Sequence, residues 1–114
     1  MSDALSALTA MEAAERIAGG ELSSEAYVGA CLDQIAALED KVHALVHLDP
    51  EAALAQARAL DARRRKGQPL GVLHGLPVAI KDIFDTADMP TENGTVLHRG
   101  RTPRNDAAAV ARLR

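Results

Sequence analysis

Lys81 ends an apolar run, Leu76-Pro77-Val78-Ala79-Ile80, and is followed at once by Asp82. Lysine is costly to bury, and its ammonium usually sits in water. Lys81 can be read in two ways. Either it marks where a strand reaches the surface, or it is held against apolar walls so that its amine can accept a proton. The second reading needs the amine pKa pulled down from about 10.4, which burial does by disfavouring the charged form. A neutral amine beside a hydroxyl turns that hydroxyl into a nucleophile. Asp82 points to the opposite face of a strand. It suits a cap or loop anchor better than a second catalytic group.

The other reactive side chains form weaker patterns. His43 and His47 are four apart, but no further ligand cluster accompanies them, and a metal site needs three or four ligands. No metal and no cofactor is expected. Cys31 falls on an apolar helical stripe, where a thiol behaves as a small inert hydrophobe. His74 precedes Gly75 and reads as a turn-shaping residue. Arg63-Arg64-Arg65-Lys66 reads as a solvated helix end.

The elements that must position these residues are mostly helical. Thr9 and Glu12 have the spacing of a capping box, with Gly19-Gly20 as the C-terminal stop. Ser23 suits the N-cap of a helix over about 24–40, carrying Val28, Cys31, Leu32, Ile35 and Leu38 at helical spacing. Residues 42–48 are short and apolar and read as extended. Asp49-Pro50 restarts a helix that runs to about Lys66, with Gly67 as its stop. Gly71 and Gly75 flank a turn into a strand over 77–81. Residues 82–105 read as a long irregular segment, and Asn105 or Asp106 as the cap of a final helix bearing Val110 and Leu113.

Composition narrows the function classes. The chain has 114 residues and a net charge of −3, which gives no basic footprint for direct nucleic-acid binding. A single cysteine excludes an intramolecular disulfide and fits a reducing compartment. No apolar stretch approaches the ~20 residues that span a bilayer, and the N-terminus lacks a signal-peptide pattern. A cytoplasmic protein without a membrane partner is expected. Alanine supplies 23 residues and the only aromatics are Tyr27 and Phe84, so helices of this kind bury little area and lean on a larger body. One strand cannot satisfy its own backbone, and the final helix has only two or three turns. The expectation is therefore an α/β protein of which residues 1–114 are the N-terminal part of a single domain.

The stretch GVLHGLPVAIKDIFDTADMPTENGT, residues 71–95, resembles the amidase signature family. Members show Gly-x-Leu-His-Gly-Leu/Ile-Pro-Val/Ile-x-Val/Ile-Lys-Asp, then a Thr-x-x-Gly-Ser/Thr segment. The helix before it and the Asn105-Asp106-Ala107 helix start are similar as well. Asp88 stands where many members have glycine, Val72 where proline is common, and Glu92-Asn93-Gly94 replaces a run of smaller residues.

The resemblance implies a mixed sheet sandwiched by helices, an α/β/α fold to which this chain contributes N-terminal helices and the first core strand. It implies that Lys81 is the lysine of a Ser–cis-Ser–Lys triad that hydrolyses amide carbon–nitrogen bonds. Neither serine has a counterpart among Ser2, Ser6, Ser23 and Ser24, so this chain alone is expected to be inactive. The partners it implies are a small-molecule amide and the remainder of the same chain, and a homodimer stays open. Two other readings share the motif. One is the glutaminase-type component, the A subunit, of a tRNA-dependent amidotransferase. The other is a truncated, non-catalytic paralogue that binds another protein.

Overall fold

A computed structural model describes residues 2–114, which divide into two units, one up to Pro77 and one from Val78 onward. The first unit holds helices α1 (Ser2–Ser6), α2 (Ala10–Gly19), α3 (Ser24–Val42) and α4 (Pro50–Arg65). Helices α1 and α4 each pack against α3.

Local chemistry sets the helix ends. At α2 the hydroxyl of Thr9 accepts the Glu12 amide at 3.3 Å, and the Glu12 carboxylate accepts the Thr9 amide at 2.9 Å. The expected capping box is thus complete. Gly20 closes α2 in the left-handed region at φ 81, its amide donating to the carbonyls of Arg16 and Ile17. The helix turns Ala13 and Ile17 inward against Leu22 and Tyr27, with Leu5, Leu8, Cys31 and Leu76 packed around them. Ile17 is the only large apolar side chain among the described residues that is fully buried. The core is as thin as an alanine-rich composition implies.

A helix leaves its first amides without intrahelical partners, and at α3 the three that follow the N-cap all find acceptors. The Ser24 amide donates to Asp61 Oδ1 at 2.8 Å and the Glu25 amide to Asp61 Oδ2 at 3.0 Å. The Ala26 amide donates to the Ser23 hydroxyl at 3.0 Å, and the Tyr27 amide makes the first helical bond, to the Ser23 carbonyl. Asp61 comes from α4 and is 2% exposed. Its carboxylate therefore joins two helices while placing negative charge at the positive end of α3. The nearby Arg58–Glu25 ion pair, 2.7 Å long but half-exposed on both sides, contributes little.

Helix α3 runs to Val42, two residues past the expected end. His43 terminates it at φ 50, and the Glu39 carboxylate then holds the Leu45 amide at 2.8 Å. The extended segment expected over 42–48 is an irregular link with Val46 81% exposed, because no neighbouring strand pairs with it. Helix α4 starts as expected, with Asp49 accepting the Ala52 amide at 3.0 Å and Pro50 in the first turn.

Residues 71–76 make two overlapping turns, His74 amide to Gly71 carbonyl and Leu76 amide to Leu73 carbonyl, both 3.1 Å. Gly75 has φ +80, and a Cβ there would lie 2.9 Å from Ile17 Cγ2 and 3.1 Å from Ser24 Cβ. The Ser24 hydroxyl donates to the Gly75 carbonyl at 2.7 Å. The turn is therefore seated backbone-first on α2 and α3.

The second unit contains a 3₁₀ turn, Val96–His98, and helix α5, Ala108–Leu113. Here two expectations are corrected. The described residues contain no strand, so the first core strand expected at 77–81 is not formed: the amides of Val78, Ala79 and Ile80 donate to no backbone carbonyl among them. A ladder needs a neighbour on at least one side, and no described segment supplies one. The cap of α5 is Ala107 rather than Asn105 or Asp106, because the Asp106 carboxylate is turned to the Ala87 amide and to Arg114.

Replacing Asp61 by Ala leaves two amides at the α3 start without acceptors and should lower stability by about 3 kcal/mol. The check is the urea midpoint at constant m-value, and an unmoved midpoint would show that the bridge carries no stability. Gly75→Ala should cost about 2 kcal/mol through its left-handed backbone and the contact with Ile17, read in the same titration.

Candidate functional site

The candidate site is the segment that begins at Lys81, all of it within the second unit. Lys81 is exposed, and its apolar neighbours Val78 and Ile83 are 51% and 58% exposed. The apolar walls expected around the amine are thus not supplied by the described residues.

The loop after Lys81 is ordered by side chains bonded to backbone. The Asp82 carboxylate accepts the Glu92 amide at 2.9 Å and the Gly94 amide at 3.4 Å, while the Asp82 carbonyl accepts the Asn93 amide at 3.0 Å. Asp82 is the loop anchor that its place after Lys81 suggested. Asn93 at φ 54 and Gly94 at φ 66 are both left-handed, which lets these successive amides turn toward Asp82.

Two buried threonines hold the middle of the loop. Thr86 and Thr91 are 3% and 1% exposed. The Thr86 amide donates to Thr91 Oγ1 at 3.2 Å, the Thr86 hydroxyl donates to the Met89 carbonyl at 3.2 Å, and the two hydroxyls are 3.1 Å apart. The Thr91 amide donates to the Arg101 carbonyl at 2.8 Å. Buried hydroxyls are tolerated when bonded, and here they supplement a unit whose one buried apolar side chain among the described residues is Val110.

Every carboxylate of the second unit has a partner. Asp85 takes the Arg101 guanidinium in a fork at 2.8 and 3.2 Å. Arg114 bridges Asp88 and Asp106, 2.7 Å to each. Glu92 accepts the Gly100 amide at 2.6 Å, and Asp82 holds the loop amides. Lys81, the only lysine of the unit, makes no ion pair among the described residues. The hydrogen bonds from Arg101 hold the Asp85 carboxyl below the usual carboxylate range. The Ala87 amide, and after it Arg114, does the same for Asp106.

The remaining candidate residues have structural places. Cys31 is half-buried on α3, and burial pushes its thiol pKa up, away from the thiolate that reactivity requires. His43 caps α3, whereas His47 lies exposed in the link after it. His74 lies in the turn before Gly75, with its Nε2 buried and without a partner among the described residues. Ser23 and Ser24 serve the α3 start. Sequence reading placed Thr91, with Gly94 and Thr95, in the loop after Lys81 without assigning its contacts, and it did not find Asp61 or Thr86. The one available signal was Asp61 itself, an acid at helical spacing from Leu54, Ala57 and Arg64.

With this geometry in view, the comparisons with known proteins are specific. The family model described as Amidase matches residues 26–114. The chain belongs to the amidase family. It is 47% identical, over all 114 residues, to a protein of Streptomyces coelicolor named as the A subunit of glutamyl-tRNA(Gln) amidotransferase. It is 47% identical over 110 residues, 96% of its length, to the protein of that name from Salinispora arenicola. A solved structure, described as a vestigial protein complex revealing the evolutionary origins of an s-triazine catabolic enzyme, superimposes on 93% of the chain with a TM-score of 0.86 at 34% identity. The chain spans only 23%, 22% and 23% of these three proteins. No described helix is long and apolar enough to cross a membrane.

Acid should loosen this loop, and the sign follows from the two lowered carboxyls. The unfolded chain, with carboxyl pKa near 3.9, binds protons more readily than the folded one. The stabilisation is therefore full above that value and disappears as pH falls through the lower folded values. Protection against amide exchange at Ala87 and Ala107, taken relative to the intrinsic rate at each pH, should be high at pH 6 and fall below about pH 4, alongside carboxyl resonances of Asp85 and Asp106 that titrate below the usual range. Ordinary titration of both would contradict this account.

Proposed function

We propose that this segment is the N-terminal part of a single amidase domain that hydrolyses amide carbon–nitrogen bonds, with Lys81 as its general base. The observation that carries the reading is the Lys81-Asp82 pair inside the Gly71–Asp82 motif, in a chain that belongs to the amidase family. The exposed Val78, Ile83, Phe84 and Leu97 offer apolar surface that the rest of such a domain would cover.

In the proposed reaction the neutral Lys81 amine takes the proton of a serine on a cis peptide. That serine in turn takes the proton of the nucleophilic serine, which attacks the amide carbonyl. The tetrahedral adduct collapses to an acyl-enzyme as ammonia or an amine leaves with the proton, and water then releases the acid by the same relay. Both serines belong to chain beyond these residues. Burial of Lys81 by that additional chain would supply the apolar surroundings that a neutral amine needs.

A narrower second reading is favoured by the 47% identity to proteins named as the A subunit of glutamyl-tRNA(Gln) amidotransferase. Under it the amide is the side chain of glutamine and the ammonia is passed on rather than released. Glutamine hydrolysis that rises with charged tRNA and a partner protein supports this reading. Turnover of simple amides without either favours the independent hydrolase.

The full-length polypeptide carrying this segment should lose about 10⁴-fold or more in kcat on Lys81→Ala. Its fold should stay near intact, with the unfolding free energy from urea titration within about 1 kcal/mol of the parent, the typical cost of a single substitution. Substantial remaining turnover would remove Lys81 from the mechanism. Sequencing of the reading frame past the Arg114 codon is the companion check: an in-frame Gly/Ser-rich segment with two suitable serines is expected, and an immediate stop codon would leave the lysine without its relay.

A further inference from the structure

We propose that Asp82 is a positioning residue for Lys81: it clamps the loop at Glu92, Asn93 and Gly94, and the clamp keeps its carboxylate off the neighbouring amine. The inference rests on the reading of Lys81 as the base.

Three consecutive amides converge on this one residue. Glu92 and Gly94 take the two carboxylate oxygens, at 2.9 and 3.4 Å, and Asn93 takes the carbonyl at 3.0 Å. Such convergence needs the left-handed backbone found at Asn93 and Gly94. Its first consequence is geometric. Asp82, the residue after Lys81, is tied by both its side chain and its carbonyl to the loop at 92–94, so the backbone that carries the base is fixed from its C-terminal side. A base acts only from a fixed place, and a displacement near 1 Å can cost about a hundredfold in rate.

The second consequence is electrostatic. A carboxylate one residue from an amine is within reach of an ion pair, and such a pair favours the protonated amine. A general base needs the opposite. Here the Asp82 oxygens are directed at loop amides instead. The other acids of the unit are engaged too: Glu92 by the Gly100 amide, Asp85 by Arg101, and Asp88 and Asp106 by Arg114. No acidic side chain of this unit is paired with Lys81.

Two measurements test the proposal. In the 114-residue chain, NMR titration of Asp82 should move the Glu92 and Gly94 amide resonances and leave the Lys81 Nζ signal in place. A responding Nζ with silent amides overturns the clamp.

In the full-length polypeptide, with L-glutamine as the probe amide, Asp82→Ala should lower kcat about a hundredfold while KM stays within about threefold. Asp82→Asn keeps an acceptor for the Glu92 amide and should recover about tenfold of that loss. Asp82→Glu reaches past the clamp to the amine. It should move the acidic limb of the kcat/KM profile, which reports the base, upward by about one pH unit. An equal loss at every pH in all three variants, or an unchanged Asp82→Ala enzyme beside an inactive Lys81→Ala one, overturns the role of Asp82 alone. Retained activity in Lys81→Ala overturns instead the reading beneath it.

Discussion

The Asp61 carboxylate on the first two amides of α3 is the interaction on which the first unit depends. It is buried and bonded through both oxygens. Its desolvation is tolerable only because the two amides and the end of the helix dipole answer it. The bridge sets α4 against the start of α3, which in turn sets the Ser24 hydroxyl. Ser24 then receives the Gly75 turn. A chain of three polar contacts thus does what a larger apolar core does elsewhere, in a unit where Ile17 alone is large, apolar and fully buried.

Gly75 shows why the motif needs its glycine. Both the positive φ and the 2.9 Å approach to Ile17 exclude a side chain. Leu76 then packs on the Ile17 cluster, so the motif is anchored by backbone and by apolar contact at adjacent residues. The second unit follows a different rule. Its order comes from Asp82, Thr86, Thr91 and Asp106, each spending polar side-chain capacity on the loop's own amides and carbonyls. Polar scaffolding of this kind holds a long loop in one shape without burying much area, and it leaves the Lys81 amine unpaired.

Family membership and chemistry stand at different levels. The fold match and the family match concern these residues. The proposed reaction needs hydroxyls that this chain does not supply, and the chain spans about a quarter of the length of a relative it matches. The Lys81 side chain is exposed, and its surroundings in this chain are open.

Sequence by itself determined the helix punctuation: the Thr9–Glu12 box, the Gly20 stop, the Ser23 and Asp49 caps and the Pro50 start are all present. These features are local, made within four residues by the groups that cap and turn chains, so they are legible without a fold. It also marked Lys81-Asp82 as the place to look, through the motif around it. Tertiary structure decided what depends on distant partners. Asp61 and Ser24 are 37 residues apart, and nothing in the spacing announces their bond. The end of α3 at Val42, the transfer of Asp106 from cap to loop tie, and the Thr86–Thr91 pair were settled the same way. The strand at 77–81 marks the other side of that divide. Its composition favours extension, but a ladder is a property of two segments, and the described residues contain only one.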